Sequence, residues 1–182
     1  EATVTGRHLL IVNRWGPSGA PVWSAPTLDR QRGLLFYGTG ENYSAPATDT
    51  SDAIFAVNIE TGKRSWLKQF TAEDMYNLAC NVGGANCPEE EGPDLDFGAP
   101  PLLARNSEGR ELLYVGQKSG AVSALDPSTG ERVWDQKFGR GGYLGGVHWG
   151  LAADIKRGLL YVPISDFPAG LELTDVPTPG LY

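Results

Sequence analysis

An eleven-residue segment that occurs twice constrains the fold of this chain more than any other feature. Ala124–Trp134 reads Ala-Leu-Asp-Pro-Ser-Thr-Gly-Glu-Arg-Val-Trp, and Ala56–Trp66 has Ala, Thr, Gly and Trp at the same offsets. In each copy an apolar run ends at Asn58 or Asp126, whose short polar side chain favours the start of a turn. The Gly that follows can adopt a positive φ at no steric cost. Each copy therefore predicts a strand, a tight turn and a second strand that carries a large aromatic side chain.

A second repeated element, an apolar run of the type Leu-Leu-aromatic, precedes each copy and occurs a third time near the end of the chain. Its three occurrences begin at Gly33, Glu111 and Gly158. Repeats of about 40–50 residues with four strands each are typical of β-propeller blades. We therefore predict an all-β fold, with residues 1–182 forming part of one propeller domain. The blade-like repeats, each of four antiparallel strands, span about 21–70, 97–138 and, incompletely, 147–182.

Long insertions interrupt this repeat pattern. In the first repeat we expect strands at Val22–Leu28, Leu34–Gly38 and Ala53–Ile59 and a fourth around Trp66. The insertions are Glu41–Ser51 and Thr71–Asp96. Loops of this length in a compact repeat are usually functional or disordered. Both leave the predicted blades at points where loops can meet on one face, which makes that face the place to look for a site.

Composition excludes two classes of partner. The formal net charge of the 182 residues is −7, and no basic cluster exceeds Lys63-Arg64, so a nucleic-acid partner is not expected. No apolar run approaches the roughly 18 residues that a membrane span requires.

Three blades do not close a ring, because propellers usually have about four to eight. Both ends of the chain are abrupt, so we expect an internal piece of a longer protein whose remaining blades complete the propeller.

The pattern Ala-x-x-x-x-Thr-Gly-x-x-x-Trp resembles the tryptophan-docking repeat of the quinoprotein alcohol dehydrogenases. Members of that family are eight-bladed propellers that bind pyrroloquinoline quinone (PQQ) with Ca²⁺. The resemblance covers nearly the whole chain and is strongest to the polyvinyl-alcohol-dehydrogenase-like branch. It rests on the two docking repeats and on four further stretches in family order, namely Val22–Asp29, Tyr37–Asn42, Gln117–Gly120 and Gly145–Trp149.

The resemblance implies an oxidoreductase that acts on an alcohol substrate. Hydride would pass from the carbinol carbon to PQQ, a carboxylate would take the hydroxyl proton, and Ca²⁺ would act as a Lewis acid. Electrons would then pass to cytochrome c or a similar acceptor. The alternative is a non-catalytic propeller scaffold, for example one used in outer-membrane assembly. Such a scaffold needs Trp66 and Trp134, which are structural in either case.

Residues that would contact the cofactor follow from matching positions in the family. Trp23 would be the ring on which the flat quinone stacks, or else a packing residue of an outer strand. Lys118 would contact the quinone oxygens and stabilise their negative charge, or else lie at the surface. His148-Trp149 stands where the family commonly has Asn-Trp, and both residues are cofactor-binding candidates. His148 would donate a hydrogen bond to the cofactor, act as a base, or have a structural role.

Metal and base positions depart from the family pattern. An Asn calcium ligand commonly follows Gly-Thr-Gly, but here Glu41 holds that position and Asn42 comes next, so either is a candidate ligand if the segment is more than a turn. Asn77 stands where the catalytic Asp is expected and lies among the cofactor-binding candidates, although an amide does not act as a general base. The base would then be Asp74, Asp94 or Asp96 of the second insertion, unless the protein is an inactive relative.

The chain has two cysteines, Cys80 and Cys87, which enclose six residues of the second insertion. Neither a haem-attachment motif nor a second ligand pair for zinc accompanies them. The simplest interpretation is a disulfide that closes the insertion, with two free thiols as the alternative. A disulfide would indicate an oxidising compartment, and we therefore expect a periplasmic or secreted protein.

Overall fold

A computed structural model describes residues 2–5, 8–11, 18–166 and 179–182, with side chains from residue 18 onward. Within these ranges the regular elements are strands and one short 3₁₀ turn, which confirms the predicted all-β class. The first two strands, β1 (Ala2–Thr5) and β2 (His8–Ile11), form an antiparallel hairpin. Two four-stranded antiparallel sheets follow, and together with the comparisons reported below they define a partial propeller.

The first four-stranded sheet is formed from consecutive strands in the order of the sequence. They are β3 (Thr27–Asp29), β4 (Leu34–Gly38), β5 (Ala53–Asn58) and β6 (Arg64–Gln69). The predicted middle strand is confirmed. The outer strand is shorter than the predicted Val22–Leu28, because pairing begins only at Thr27. Pro26 has no backbone N–H and cannot donate to a strand ladder, which accounts for the late start.

The second sheet repeats this arrangement. Its strands are β7 (Leu102–Arg105), β8 (Glu111–Gly116), β9 (Ala121–Leu125) and β10 (Arg132–Lys137). Register is conserved between the two sheets: Phe36, Ala56 and Trp66 are cross-strand partners in the first, as are Tyr114, Ala124 and Trp134 in the second. The small Ala in the middle lets the flanking rings approach, with centroids 5.8 Å apart in the first sheet and 6.0 Å in the second.

The main hydrophobic core lies between these two sheets. Phe36 and Ile54 of the first sheet pack with Leu113 and Leu125 of the second, and all four are fully buried. Trp66 joins the sheets at their outer edge, where its Nε1 donates a 3.0 Å hydrogen bond to the carbonyl of Pro127 in the β9–β10 turn. A Cβ on Gly130 of that turn would lie 2.6 Å from the Trp66 ring, so only glycine fits there. Trp66 thus has the structural role predicted for it.

A third group of strands begins after residue 150 and includes the end of the chain. β11 (Ala152–Asp154) pairs with β12 (Leu159–Tyr161), and β13 (Pro163–Ile164) pairs with β14 (Gly180–Leu181). Val162 and Tyr182 also exchange backbone hydrogen bonds of 2.8 and 3.0 Å. The last residues therefore lie where the third strand of a further sheet would be. Trp134, the counterpart of Trp66, contacts Tyr114 and remains 39% exposed.

The two insertions pack against each other. An isolated parallel bridge joins Asn42 to Met75, and Tyr76 donates its backbone N–H to the carbonyl of Asn42 at 2.8 Å. The second insertion contains the 3₁₀ turn Cys80–Val82 and the disulfide between Cys80 and Cys87, which confirms the predicted pairing. In the part of the chain that the structure describes, no helix has the length and apolar character needed to cross a membrane.

Candidate functional site

Three segments that are distant in sequence bring four ionisable side chains together. Glu41 follows β4, Asp94 and Asp96 end the second insertion, and Lys118 follows β8. Asp96 connects the group: its Oδ1 accepts the Glu41 backbone N–H at 2.9 Å, and its carbonyl accepts that of Lys118 at 3.0 Å. A Cβ on Gly40 would lie 2.2 Å from Asp96 Oδ1, so glycine is needed for this approach. We call these four residues the carboxylate–lysine cluster.

Lys118 lies between two carboxylates in the centre of this cluster. Its Nζ is 2.7 Å from Asp94 Oδ1 and 2.7 Å from Asp96 Oδ2, and less than a tenth of each of the three side chains is exposed. Burial favours the neutral amine, but the charges and hydrogen bonds of Asp96 and Asp94 outweigh it and raise the pKa of Lys118. The ammonium is therefore a fixed positive charge held by two acceptors, and the alternative of a surface lysine is excluded.

The three acids of the cluster differ in their protonation. Burial raises the pKa of Asp94 to about 6, despite the opposing effect of Lys118. Burial, a hydrogen bond to Asp96 and the charges of Asp96 and Asp94 raise the pKa of Glu41 to about 9. Burial also raises the pKa of Asp96, but hydrogen bonds with Glu41 and Lys118 and the positive charge of Lys118 outweigh it. The pKa of Asp96 therefore lies below the ordinary value. At neutral pH Glu41 is thus protonated and donates to Asp96, while Asp94 is mostly ionised.

The same three acids have the geometry of a cation site. One carboxylate oxygen each of Glu41, Asp94 and Asp96 lies within 4.8 Å of the others. Glu41 Oε2 is buried and accepts no N–H or hydroxyl hydrogen bond from the described residues. Asn42, the other predicted ligand, is fully buried, and its Oδ1 accepts hydrogen bonds from the backbone N–H and the hydroxyl of Thr48 at 2.8 and 3.0 Å. The structure therefore brings Glu41, and not Asn42, to the other acids.

An aromatic group lies beside the cluster. The Trp23 ring packs against His148 and Trp149 at centroid distances of 5.8 and 6.1 Å, and Lys118 Nζ lies 5.6 Å from the Trp23 centroid. Trp23 is 39% exposed and Trp149 is 76% exposed, so both present ring surface that the described chain does not cover. A Cβ on Gly98 would lie 2.2 Å from the Trp23 ring, so the ring packs directly on the backbone of this glycine.

His148 is the polar member of this aromatic group. It is 9% exposed, and its Nδ1 is buried with no hydrogen-bonding partner in the described part of the chain. Burial and the nearby Lys118 charge lower the pKa of His148, so the imidazole is neutral at neutral pH. The neutral imidazole therefore has a ring nitrogen whose hydrogen-bonding capacity the described residues do not use.

A cavity of about 580 Å³ opens in front of Asp94 and Lys118. Its wall combines aromatic and apolar side chains with two amides, and the lining residues are Glu41, Tyr43, Tyr76, Asn77, Leu78, Asn86, Asp94 and Lys118. Sequence reasoning missed Tyr43, Tyr76, Leu78 and Asn86, because no local motif marks them. Their only common signal is that they fall within or next to the two insertions.

Asn77 lies in the cavity wall, but its polar atoms are engaged within the protein. Its Nδ2 donates to the carbonyls of Tyr43 and Asn86, both at 2.9 Å, and its Oδ1 accepts the backbone N–H of Ala79 at 2.9 Å. The carboxamide thereby ties the first insertion to the disulfide loop. Asp74, one of the three predicted bases, is fully buried, and its two oxygens accept the backbone N–H groups of Asp94 and Leu95. Asp94 is the predicted base that faces the cavity.

Removing the positive charge from the cluster is expected to destabilise the protein. In Lys118→Met the carboxylates of Asp94 and Asp96 lose their shared partner while remaining buried. Breaking a buried ion pair in this way costs about 3–5 kcal/mol of the free energy of unfolding. Denaturant titration of the intact protein measures it, with Lys137→Met, at an exposed strand position, as the matched control. An unchanged unfolding midpoint for Lys118→Met would contradict the assigned geometry.

Two curated relatives are similar to most of the chain. It is 46% identical over 153 residues to a polyvinylalcohol dehydrogenase of a Pseudomonas species, covering 84% of the chain and 24% of that protein. It is 40% identical over 172 residues to the polyvinylalcohol dehydrogenase of Sphingopyxis sp. strain 113P3, covering 92% of the chain and 26% of that protein. The chain thus spans about a quarter of the length of these relatives. No protein-family model matches it.

Solved structures with the same fold are more distant in sequence. The quinohemoprotein alcohol dehydrogenase of Comamonas testosteroni superimposes with a TM-score of 0.59 and 20% identity over 80% of the chain and 26% of that structure. A europium-containing methanol dehydrogenase gives a TM-score of 0.59 and 20% identity over 80% of the chain and 30% of that structure. At this identity the likeness supports the fold alone.

Fold and relatives together place the chain in a class. It is a partial β-propeller of the quinoprotein alcohol dehydrogenase-like type. Within that class its similarity is to the polyvinylalcohol dehydrogenases, of which it corresponds to about a quarter. Both relatives are named as dehydrogenases.

Proposed function

We propose that the protein to which this chain contributes oxidises an alcohol group, with PQQ and a divalent cation such as Ca²⁺ bound at the carboxylate–lysine cluster. The observation that carries the proposal is a buried lysine held between two carboxylates at the edge of an open cavity, with an exposed tryptophan ring beside it. Lysine and carboxylates are the groups that such a reaction requires to stabilise negative charge and to accept a proton.

The residues present fit both bound groups. A flat quinone would stack on the exposed part of the Trp23 ring and form a hydrogen bond with Nδ1 of neutral His148. Lys118 would supply a cation to its oxygens. A divalent cation would bind the buried Oε2 of Glu41 and the Asp96 carboxylate, since Ca²⁺ prefers carboxylate and carbonyl oxygens. One solved neighbour is a europium-containing dehydrogenase, which supports a hard-cation site in this fold.

In the proposed mechanism the residues of this chain hold the alcohol and receive its proton. When bound, the metal would supply a Lewis acid, and the quinone would supply an acceptor for the hydride that the carbinol carbon loses as it becomes a carbonyl carbon. Asp94 faces the cavity and takes the hydroxyl proton, and its pKa of about 6 leaves it ionised at neutral pH while keeping useful basicity. Lys118 holds Asp94 Oδ1 in place at 2.7 Å.

The cavity wall suits a hydroxyl on a carbon chain. Tyr43, Tyr76 and Leu78 offer apolar surface for methylene groups, and Asn77 and Asn86 bring amides to the same wall. Most ligand pockets have this composition, with a few polar groups that fix orientation in an apolar lining. The named activity of the relatives is consistent with such a substrate. We propose a hydroxylated aliphatic chain as the substrate class.

Two further parts of the proposal concern the surroundings of the enzyme. A cytochrome-type protein would accept the electrons, in keeping with the quinohemoprotein among the solved neighbours. The Cys80–Cys87 disulfide favours an oxidising compartment, and we propose the periplasm or the extracellular space. The rival proposal of a non-catalytic scaffold accounts for the Trp66 packing, but it gives no reason to bury Lys118 among three acids beside a cavity.

A glycine beside the aromatic group gives a local test of cofactor stacking. In Gly98→Ala the new methyl group would overlap the Trp23 ring edge and approach the His148 carbonyl, so the ring has to move. Aromatic stacking contributes about 0.5–1.5 kcal/mol, so the affinity for PQQ should fall by up to about tenfold. Absorbance titration with PQQ measures this, and Gly150→Ala, where a methyl group meets nothing, is the control. Equal affinities in the two variants would speak against stacking on Trp23.

The function itself is tested by cofactor titration of the full-length protein. PQQ is added with and without Ca²⁺, and reduction of a dye is followed with primary, secondary and polymeric alcohols. Calcium-dependent binding with turnover on alcohols supports the proposal. Absence of PQQ binding at micromolar concentration would reject the enzyme and leave the scaffold.

A further inference from the structure

Two fully buried aspartates lie behind the carboxylate–lysine cluster. Asp52 lies between the first insertion and β5, and Asp74 lies in the second insertion. Asp52 donates its backbone N–H to the carbonyl of Gly40 at 3.0 Å, and Asp74 accepts the backbone N–H of Asn42 at 3.0 Å. Both therefore belong to the framework that fixes the Gly40–Asn42 segment, in which Glu41 lies.

Asp74 determines the path of the backbone at the proposed base. Its Oδ1 accepts the N–H of Asp94 at 3.0 Å, and its Oδ2 accepts the N–H of Leu95 at 2.8 Å. Asp94 has a φ of 55°, a left-handed conformation that costs energy for a residue other than glycine. The two hydrogen bonds that the Asp74 side chain accepts hold the backbone in this conformation.

Asp52 has an unusual environment for a carboxylate. Neither of its oxygens accepts an N–H or hydroxyl hydrogen bond from the described residues, although both are fully buried. Its hydrogen-bonding partner is the carboxylate of Asp74. Two carboxyl groups form a hydrogen bond only when one of them carries a proton, and both oxygens of Asp74 already accept the backbone N–H groups of Asp94 and Leu95. The proton therefore resides on Asp52.

We propose that Asp52 is a positioning residue that stays protonated in the folded protein and donates its hydrogen bond to Asp74, so that Asp74 holds Asp94 toward the cavity. Burial, reinforced by the charge of Asp74, raises the pKa of Asp52 to about 10, in agreement with this assignment. The role of Asp94 as the base rests on the proposed function. The protonation of Asp52 does not, because it follows from burial and hydrogen bonding alone.

Substitutions that differ by a few atoms separate this role from general packing. Asp52→Asn replaces the acid proton by an amide donor of the same shape, and it should keep the folding stability and kcat close to those of the wild type. Asp74→Asn places a donor where an acceptor of N–H is required, and it should displace Asp94 and lower kcat by roughly 100-fold. Asp49→Asn, at an exposed position of the first insertion, is the matched control.

Infrared difference spectroscopy reads the proton directly and needs neither cofactor nor turnover. The intact wild-type protein at pH 8 should show a carboxylic-acid C=O band that is lost in Asp52→Asn and retained in Asp49→Asn. Absence of that band from the wild-type minus Asp52→Asn spectrum overturns the proposal, as does an Asp52→Asn variant as impaired as Asp74→Asn. If the band is present and no alcohol is oxidised, the proposed function fails while the acid pair stands.

Discussion

Replacing Asp94 with Asn is expected to lower kcat for alcohol oxidation by roughly 100- to 10,000-fold, the usual contribution of a positioned general base. Asn retains the size of the side chain and a hydrogen-bonding oxygen for Lys118, but it does not take a proton. The binding of PQQ and substrate should change much less than kcat. Steady-state kinetics of the full-length protein with a secondary alcohol measures the effect, with Asp49→Asn as the exposed control.

The pH dependence of the same reaction gives an independent check. A base works only when ionised, and burial raises the pKa of Asp94 to about 6. The rate should therefore rise as the pH increases through about 6 and level off above it. In Asp94→Asn the residual rate should lack this rise. If Asp94→Asn keeps wild-type kcat, the base lies elsewhere, and Asp96→Asn becomes the next variant.

Calcium binding should release close to one proton at neutral pH, and its affinity should increase with pH. Without a cation Glu41 is protonated, because burial and the neighbouring Asp96 and Asp94 raise its pKa to about 9. A metal ligand has to be deprotonated, so binding displaces that proton. Below pH 9 the affinity should therefore rise by roughly tenfold for each pH unit.

Calorimetry in two buffers of different ionisation enthalpy counts the released protons. Glu41→Gln should bind Ca²⁺ more weakly and without this pH dependence, while Glu89→Gln, an exposed residue of the second insertion, should behave as the wild type. Wild-type binding with no proton release, or equal affinity in Glu41→Gln, would show that Glu41 is not a ligand.

The fold could be predicted from the sequence because its repeats are local. The Thr-Gly turn and the Trp recur at a fixed offset, and the paired Ala is the residue whose small size lets two rings meet in both sheets. The error at Val22–Leu28 is also local. An apolar run was extended through Pro26, where the ladder has no donor to continue it.

The site was harder to predict because it is formed by segments that are distant in sequence. Glu41 and Lys118 are predicted because they match positions of the family's metal ligand and quinone-contacting cation, and Asp94 is predicted as an alternative to Asn77. No sequence pattern shows that Asp74 faces the backbone of Asp94 and not the cavity, since that depends on how the two insertions pack. Asp52 was missed for the same reason. Its significance comes from burial next to another acid, which only the tertiary structure reveals.

The central claim is that the metal and the cofactor bind at the carboxylate–lysine cluster. Its most direct test is a crystal structure of the full-length protein with PQQ and Ca²⁺, with anomalous diffraction used to locate the cation. We expect a cation peak in coordination with Glu41 and Asp96, and a quinone that lies on Trp23 within hydrogen-bonding reach of Lys118. A cation or a quinone bound elsewhere in the propeller, with the Glu41 carboxyl unligated, would contradict it.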